Sequence, residues 1–402
     1  MSGDGRLPQP PADLRLPRTD RRLAGVLPDV ARAFGVTDVP DVGAGLALDG
    51  VERVCVLLVD GLGDAALRAR TGHAPTLRRL VADSEPVDAG YPTTTAASLA
   101  SFGTGLGPGR TGMLGYAVRD PRTSLDAPGL VNLVSWTAQR VVGGGPGPGP
   151  AAEPPDPRAW QPHPTVFERL VAAGHEVTSI GPTRFAGSGL TTAGLRGATY
   201  RGAESLDARV DATLAALRRP GVAYLYWGEL DKVGHHEGWS SPAWAEELGE
   251  LDHALTRLLR RLPRGTAVVV TADHGMVDVT GRTDVAAVPA LARDVALVAG
   301  EPRACHVHLE AGADGDAAAA RWRDVLGEDA WVLQRGEALG LGLFGDVEDA
   351  RLPMIGDLVV AARGTHAVVD SRTQSAASIA LVGMHGSLTP AELEVPAILA
   401  IA

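Results

Sequence analysis

Apolar and polar positions along this chain fall into short blocks that switch between two periods. The segment 51–59 is an almost unbroken Val/Leu run, and a β-branched run of that length reads as a buried strand. Gly61 and Gly63 break it, and a helix begins over Asp64 to Arg70. A second short helix starts at Ala74–Leu77, with Pro75 near its first turn. Val87 to Tyr91 reads as a strand ended by Pro92, and Thr95 to Phe102 as a helix. Further on, 165–173, 206–219 and 242–262 read as helices, and 175–180, 222–227 and 267–271 as strands.

This alternation of helix and strand predicts an α/β protein: a three-layer α/β/α sandwich around a mostly parallel sheet. Ligands of such sheets bind beyond the carboxyl ends of the strands. Asp60, Asp231 and Asp273 all fall there. The division expected is an N-terminal extension over 1–45, a core over 46–279, a small α+β cap over 280–350 and a returning core segment over 351–402. Residues 1–20 are Pro-rich and read as loosely packed. The Gly/Pro-rich stretch 143–157 reads as a flexible loop without regular structure. Within the cap, 304–309 and 330–333 read as strands and 315–326 as a helix. Segments 357–361 and 377–382 then read as strands that rejoin the main sheet.

Composition narrows the function classes. At 402 residues and 45% hydrophobic, the chain can build a large core. A net charge of −11 disfavours binding to nucleic-acid duplexes, which demands many phosphate-neutralising cations. It leaves room for a small anionic substrate at a metal site. No apolar run reaches the roughly 18 residues of a membrane span, and the N-terminus lacks the apolar stretch of a secretory signal. With only Cys55 and Cys305, a reducing cytoplasmic setting is expected, and the Ala/Gly/Arg/Pro excess points to a GC-rich bacterial genome. Oligomeric state is not legible.

The chemistry sits in a few polar residues that interrupt apolar runs. Asp273-His274 closes the run Ala267–Ala272, where burying an acid and an imidazole is costly without a partner. A divalent cation is the economical one. Asp231 and His235 stand four apart, which places both on one face of a helical turn. Asp60 and His385 complete six Asp/His ligands, a set suited to zinc, with manganese as the alternative. Six ligands divide into two sets of three, and paired metals can clamp the attacking and leaving oxygens of a phosphoryl displacement. Thr93, Thr94 and Thr95 lie at a strand-to-helix junction, where a helix N-terminus and a metal can both lower a hydroxyl pKa. Neither Gly-x-Ser-x-Gly nor a P-loop occurs.

Asp60-Gly61, Pro92-x-x-Thr95, Asp231-x-x-x-His235, Asp273-His274-Gly275 and His385-Gly386 stand in the order found in the alkaline phosphatase superfamily. Over residues 50–400 the chain most resembles the type I phosphodiesterase/nucleotide pyrophosphatase family. The resemblance implies one metal held by Asp231, His235 and His385, and a second held by Asp60, Asp273 and His274. It implies Thr95 as the nucleophile bridging both, and a phospho-threonine intermediate. The implied reaction is hydrolysis of a phosphodiester or nucleotide pyrophosphate-type bond.

Two features depart from the family pattern. Ala96 and Ala97 follow the nucleophile where an aromatic platform is usual, and Tyr116 stands where a phosphate-binding Asn is expected. Tyr116, Tyr91 and Trp227 are candidate substrate contacts, and Trp239 is a further aromatic of the same kind. His306 and His308 share one face of a strand in the cap, as a packed pair or a third metal site. Phosphomonoester or phosphonate hydrolysis at the same site is the alternative activity, and a silent binding protein of the same fold is a third. A small phosphate ester is the expected partner.

Overall fold

The computed structural model describes residue 11, residues 13–141 and residues 149–402. The expectations for residues 1–10, for residue 12 and for residues 143–148 therefore lie outside the described residues.

Six strands form the central sheet, in the order Ala397–Ile401, Ala267–Thr271, Arg53–Val59, Gly221–Trp227, Val177–Gly181 and Thr199–Gly202. Five run parallel, and Ala397–Ile401 pairs antiparallel with Ala267–Thr271 at the edge. Residues 54–59 are all buried. A strand covered on both faces shows no polar alternation, which is why it reads as one apolar block. Fully burying each such Val or Leu contributes roughly 1.5–3 kcal/mol. Leu206–Ala216, Pro75–Val81 and Pro242–Arg261 pack together as one group of helices. Val26–Ala33, Val166–Ala172, Gly189–Gly194 and Thr95–Thr104 form another. The three-layer expectation holds.

A second, four-stranded antiparallel sheet has the order Val295–Glu301, Ala304–Leu309, Leu358–Ala362, Ala330–Gln334. The helix Gly315–Leu326 covers it, and Val307, Trp322 and Val360 share a core separate from that of the main sheet. Two expectations fail here. The strand near 357–361 does not return to the main sheet but lies inside this one, between Ala304–Leu309 and Ala330–Gln334. An apolar run is compatible with either sheet, and only its partners decide. Residues 376–379 are helical, with Ser375 Oγ capping Ser378 N at 3.1 Å, and 380–382 form no strand. The strand that returns to the main sheet is Ala397–Ile401.

Three further departures are local. Arg15 and Arg18, expected in a loose segment, both pair with the buried Asp88, each at 3.1 Å. The strand expected over 87–91 is confined to Val87–Asp88. Ala151–Ala152, in the stretch expected to lack regular structure, forms the edge of the meander Ala117–Arg119, Gly129–Asn132, Thr137–Arg140. One small ladder matters for the site: Val277–Asp278 pairs with Gly383–Met384, which draws the segment after His274 against the segment before His385. Among the described residues, no helix is long and apolar enough to cross a membrane.

Candidate metal and active site

Three adjacent parallel strands each deliver one acid to the same edge of the sheet. Asp60 follows Arg53–Val59, and its backbone N–H donates to Trp227 O at 2.8 Å. Asp273 follows Ala267–Thr271, and its Oδ1 accepts from Gly61 N at 3.1 Å and from His274 N at 3.0 Å. Asp231 lies in the helix Glu229–Glu237, with His235 one turn on and its Nε2 3.3 Å from Asp231 Oδ2. Gly61 is required at this junction: its φ is +74°, and a Cβ there would come within 3.0 Å of the Asp231 backbone.

The histidines close the cluster. His274 Nε2 is 3.4 Å from both Asp60 Oδ1 and Asp273 Oδ2, and 3.2 Å from Thr95 Oγ1. Its ring stacks on His385 at 3.5 Å, and His385 Nε2 is 3.9 Å from Asp231 Oδ1. Each of the three histidines turns Nδ1 to a main-chain carbonyl: His235 to Gly383 at 2.7 Å, His274 to Gly275 at 3.1 Å and His385 to Thr93 at 2.8 Å. Nδ1–H is thereby the donor in each ring, and Nε2 keeps its lone pair for a ligand.

Among the described residues, two groups have donor atoms mutually close enough to hold one ion: Asp60 with Asp273 and His274, and Asp231 with His274 and His385. His274 thus lies between both. His235, the partner that the resemblance implied for Asp231 and His385, stands beside the second group with its ring 5.2 Å from that of His385.

These donors fit divalent cations. Asp60 Oδ1, Asp231 Oδ1 and Asp273 Oδ2 are buried without any hydrogen-bond partner. Burial, and then Asp60's charge, pushes the Asp231 carboxyl up to about 7. Burial and Asp273 together raise Asp60 well above the usual carboxylate range, and burial with Asp231 raises Asp273. Burial holds His274 down at about 3 and His385 also well below an ordinary imidazole. The protein therefore concentrates acids it does not itself neutralise beside imidazoles that stay unprotonated, an arrangement that positive charge completes.

Thr95 is the first residue of the helix Thr95–Thr104, so its hydroxyl lies where unpaired helix N–H groups gather. A cavity of about 510 Å³ opens over the cluster, with Tyr116, Arg184, Phe185, Tyr226, Lys232 and Glu301 among its lining residues. A second, of about 250 Å³, reaches Thr95 and Asp60 and is walled by Leu99, Ile180, Leu190, Tyr200 and Tyr224.

Of the candidate substrate contacts, Tyr116 lines both cavities and is 44% exposed. Tyr91 is buried against Phe344, with ring centroids 5.6 Å apart. Trp227 is also packed away, its Nε1 donating to Glu247 at 2.9 Å and its ring under the Arg209 guanidinium. The cavity-facing aromatic is its neighbour Tyr226, whose hydroxyl donates to Asp60 Oδ2. Strand alternation offered a signal for that choice, since Tyr224 and Tyr226 share one face and Trp227 takes the other. His306 and His308 are both buried. His306 Nε2 bonds Leu114 O at 2.9 Å and its Nδ1 accepts from Gly356 N at 3.2 Å, which makes it a packed residue. Cys55 and Cys305 are buried and free.

Residues 54–388 match the type I phosphodiesterase/nucleotide pyrophosphatase family. The chain belongs to that family.

This family member is similar in structure to murine ectonucleotide pyrophosphatase/phosphodiesterase 5, at 16% identity and a TM-score of 0.62 over 86% of this chain and 87% of that one. It is also similar to phosphonoacetate hydrolase from Sinorhizobium meliloti 1021, at 20% identity and a TM-score of 0.63 over 87% of this chain and 90% of that one. Both likenesses carry the alkaline phosphatase-like fold. Among curated sequences, phosphopentomutase from Anaeromyxobacter dehalogenans (strain 2CP-C) is 38% identical over 129 residues. That match spans 31% of this chain and 30% of the relative's length.

Proposed function

We propose that this chain is a metal-dependent hydrolase of phosphodiester or nucleotide pyrophosphate-type bonds, with Thr95 as nucleophile. The observation that carries the reading is the set of buried carboxylate oxygens without partners beside three imidazoles whose Nδ1 atoms are engaged by main-chain carbonyls, leaving Nε2 as the acceptor, with Thr95 Oγ1 3.2 Å from one of them. Asp60, Asp231, His235, Asp273, His274 and His385 would hold two divalent ions, with zinc first and manganese second by ligand type. Bound there, the ions supply positive charge that lowers the Thr95 pKa and offsets charge on phosphoryl oxygens.

Thr95 Oγ attacks phosphorus in line. A bond from Thr95 to phosphorus forms as the bond to the leaving oxygen breaks, the hydroxyl proton being lost to solvent and the leaving oxygen gaining one from it; water then cleaves the phospho-threonine, which releases the phosphate product and regenerates the hydroxyl. Tyr226 holds Asp60 through its hydroxyl, and Tyr116 lines the cavities that would receive the ester. An inactive threonine-to-alanine form of murine ectonucleotide pyrophosphatase/phosphodiesterase 5 is known in complex with AMP, and phosphonoacetate hydrolase with phosphonoacetate. Both support a small phosphorus ester or acid as the substrate class here. Among the described residues, neither Lys nor Arg lines the cavity that reaches Thr95. A monoanionic diester suits such walls better than a dianionic monoester, which needs more cationic grip.

Parallel hydrolysis of bis(p-nitrophenyl) phosphate and p-nitrophenyl phosphate by zinc-loaded protein tests the reading. The diester is expected to be the faster substrate. Faster monoester hydrolysis would move the assignment to a phosphomonoesterase. Thr95→Ala is expected to lower kcat by at least about a thousandfold while metal content stays near that of the parent. Full turnover by that variant would remove Thr95 from the mechanism.

A further inference from the structure

We infer that Glu301 is a specificity-determining residue that accepts a hydrogen bond from a hydroxyl or ammonium group on the substrate's alcohol portion. This rests on the reading of the adjoining cluster as a phosphoester site and adds what the rest of the ester must carry.

Glu301 ends the strand Val295–Glu301 of the second sheet, yet it is one of the residues lining the cavity over the Asp/His cluster. It is 5% exposed. Its Oε2 accepts from Tyr116 N at 2.6 Å, while Oε1 is buried with no partner. The neighbourhood is shaped to admit this carboxylate. Gly386, immediately after His385, has φ +139°, and a Cβ there would come within 2.7 Å of Glu301 Cγ and 3.0 Å of Oε1. A Cβ on Gly115 would approach Oε2 at 3.3 Å.

The unpaired oxygen is not a requirement of packing. Glu392, a buried glutamate of the same region, has both oxygens bonded by Arg303, at 2.7 Å each. Glu301, a lining residue of the cavity, has Oε2 filled from its own chain and Oε1 left without a partner. That oxygen lies against Gly386, the residue after His385, and Glu301 and His385 line the same cavity. A buried acceptor of this kind discriminates strongly, because a substrate lacking the matching donor leaves it unpaired. A donor from the substrate would also favour the charged carboxylate, which burial otherwise disfavours.

The test uses three mixed diesters of p-nitrophenyl phosphate that differ only in the second alcohol: propyl, glyceryl and 2-aminoethyl. Titration calorimetry on zinc-loaded Thr95→Ala protein reads binding apart from turnover. The glyceryl ester, the aminoethyl ester or both should bind about tenfold more tightly than the propyl ester, and the two arms separate hydroxyl from ammonium. Glu301→Gln in the same background keeps an oxygen for Tyr116 N–H but presents an NH₂ group to the cavity. It should abolish an ammonium preference, while Glu301→Met, which offers the cavity neither an N–H donor nor a carboxylate, should abolish a hydroxyl preference; the propyl ester should still bind both variants. Equal Kd for all three esters on the Thr95→Ala protein, an ammonium preference that survives Glu301→Gln, or a hydroxyl preference that survives Glu301→Met overturns the inference. A retained preference in binding with no p-nitrophenol release by Thr95-containing protein would overturn the hydrolase reading and leave this one standing.

Discussion

Two groups of buried acids in this molecule are treated in opposite ways. At the Glu392 knot every charge is answered by the protein. Arg303 forks onto both carboxylate oxygens and also donates to His366 O and Ala362 O. Ser387 N and Thr389 Oγ1 add bonds at 3.0 and 2.5 Å, and Glu392 O takes Gly275 N at 2.8 Å. At the Asp60–Asp231–Asp273 cluster, one oxygen of each acid has no partner. The two regions are joined: Gly275 follows His274, and Ser387 lies two residues after His385. The saturated knot therefore fixes the loops that carry His274 and His385 of the unsaturated cluster. Burial of charge alone does not distinguish structure from function. Whether the chain supplies the counter-charge does.

Breaking the knot should have the largest effect on folding. Arg303→Met leaves Glu392 buried and unpaired, and a loss of about 3–5 kcal/mol in urea unfolding is expected. The double variant Arg303→Met/Glu392→Gln should recover part of it. A single variant as stable as the parent would mean that the knot is not the anchor described.

Metal removal sharpens the other half of the comparison. The folded Asp231 carboxyl, pushed up to about 7 by burial, keeps its proton over a range where the unfolded chain has lost it. Stability of chelated protein should therefore fall as pH rises from about 4 and level off above about 7, by on the order of 2 kcal/mol between pH 5 and 7 for one such group. Zinc-loaded protein should lack that slope. Parallel thermal-denaturation profiles with and without chelator would decide, and coincident profiles would contradict the account of uncompensated charge.

The smallest effect concerns the hydroxyl that Tyr226 gives to an acid of the cluster. Tyr226→Phe removes the bond to Asp60 Oδ2, and metal affinity measured by competition with a chromogenic chelator should weaken about tenfold. Unchanged affinity would make Tyr226 part of the cavity wall only.

The strands that carry Asp60 and Asp273 were legible because both faces of a parallel sheet are covered, so each strand appears as an apolar block with a polar residue at its end. Asp231 and His235 were legible through their helical spacing. His385 follows a two-residue strand that has no pattern of its own, so its place was read from residue type and from the order of the motifs rather than from periodicity. Of the candidate aromatics, Tyr116 lines the cavities, whereas at the end of Gly221–Trp227 the cavity-lining residue is Tyr226 and not its neighbour Trp227, because neighbours on a strand face opposite ways. Nor could an apolar run such as Leu358–Ala362 announce which of two sheets would receive it.

By itself, then, the sequence determined the layered α/β fold, the family, and the acids and imidazoles able to gather at one sheet edge. The fold and the candidate residues follow from local periodicity and short spacings, which the chain carries at every point, and the family follows from the resemblance of its motifs to a known set. Only the tertiary structure decided that His274 lies between two donor groups, that Glu301 reaches from the second sheet to the same cavity, and which carboxylate oxygens are left without partners. Each of those is a statement about residues 60 to 392 meeting across distant segments. Whether a polar atom is satisfied depends on what is packed against it, which no local pattern records.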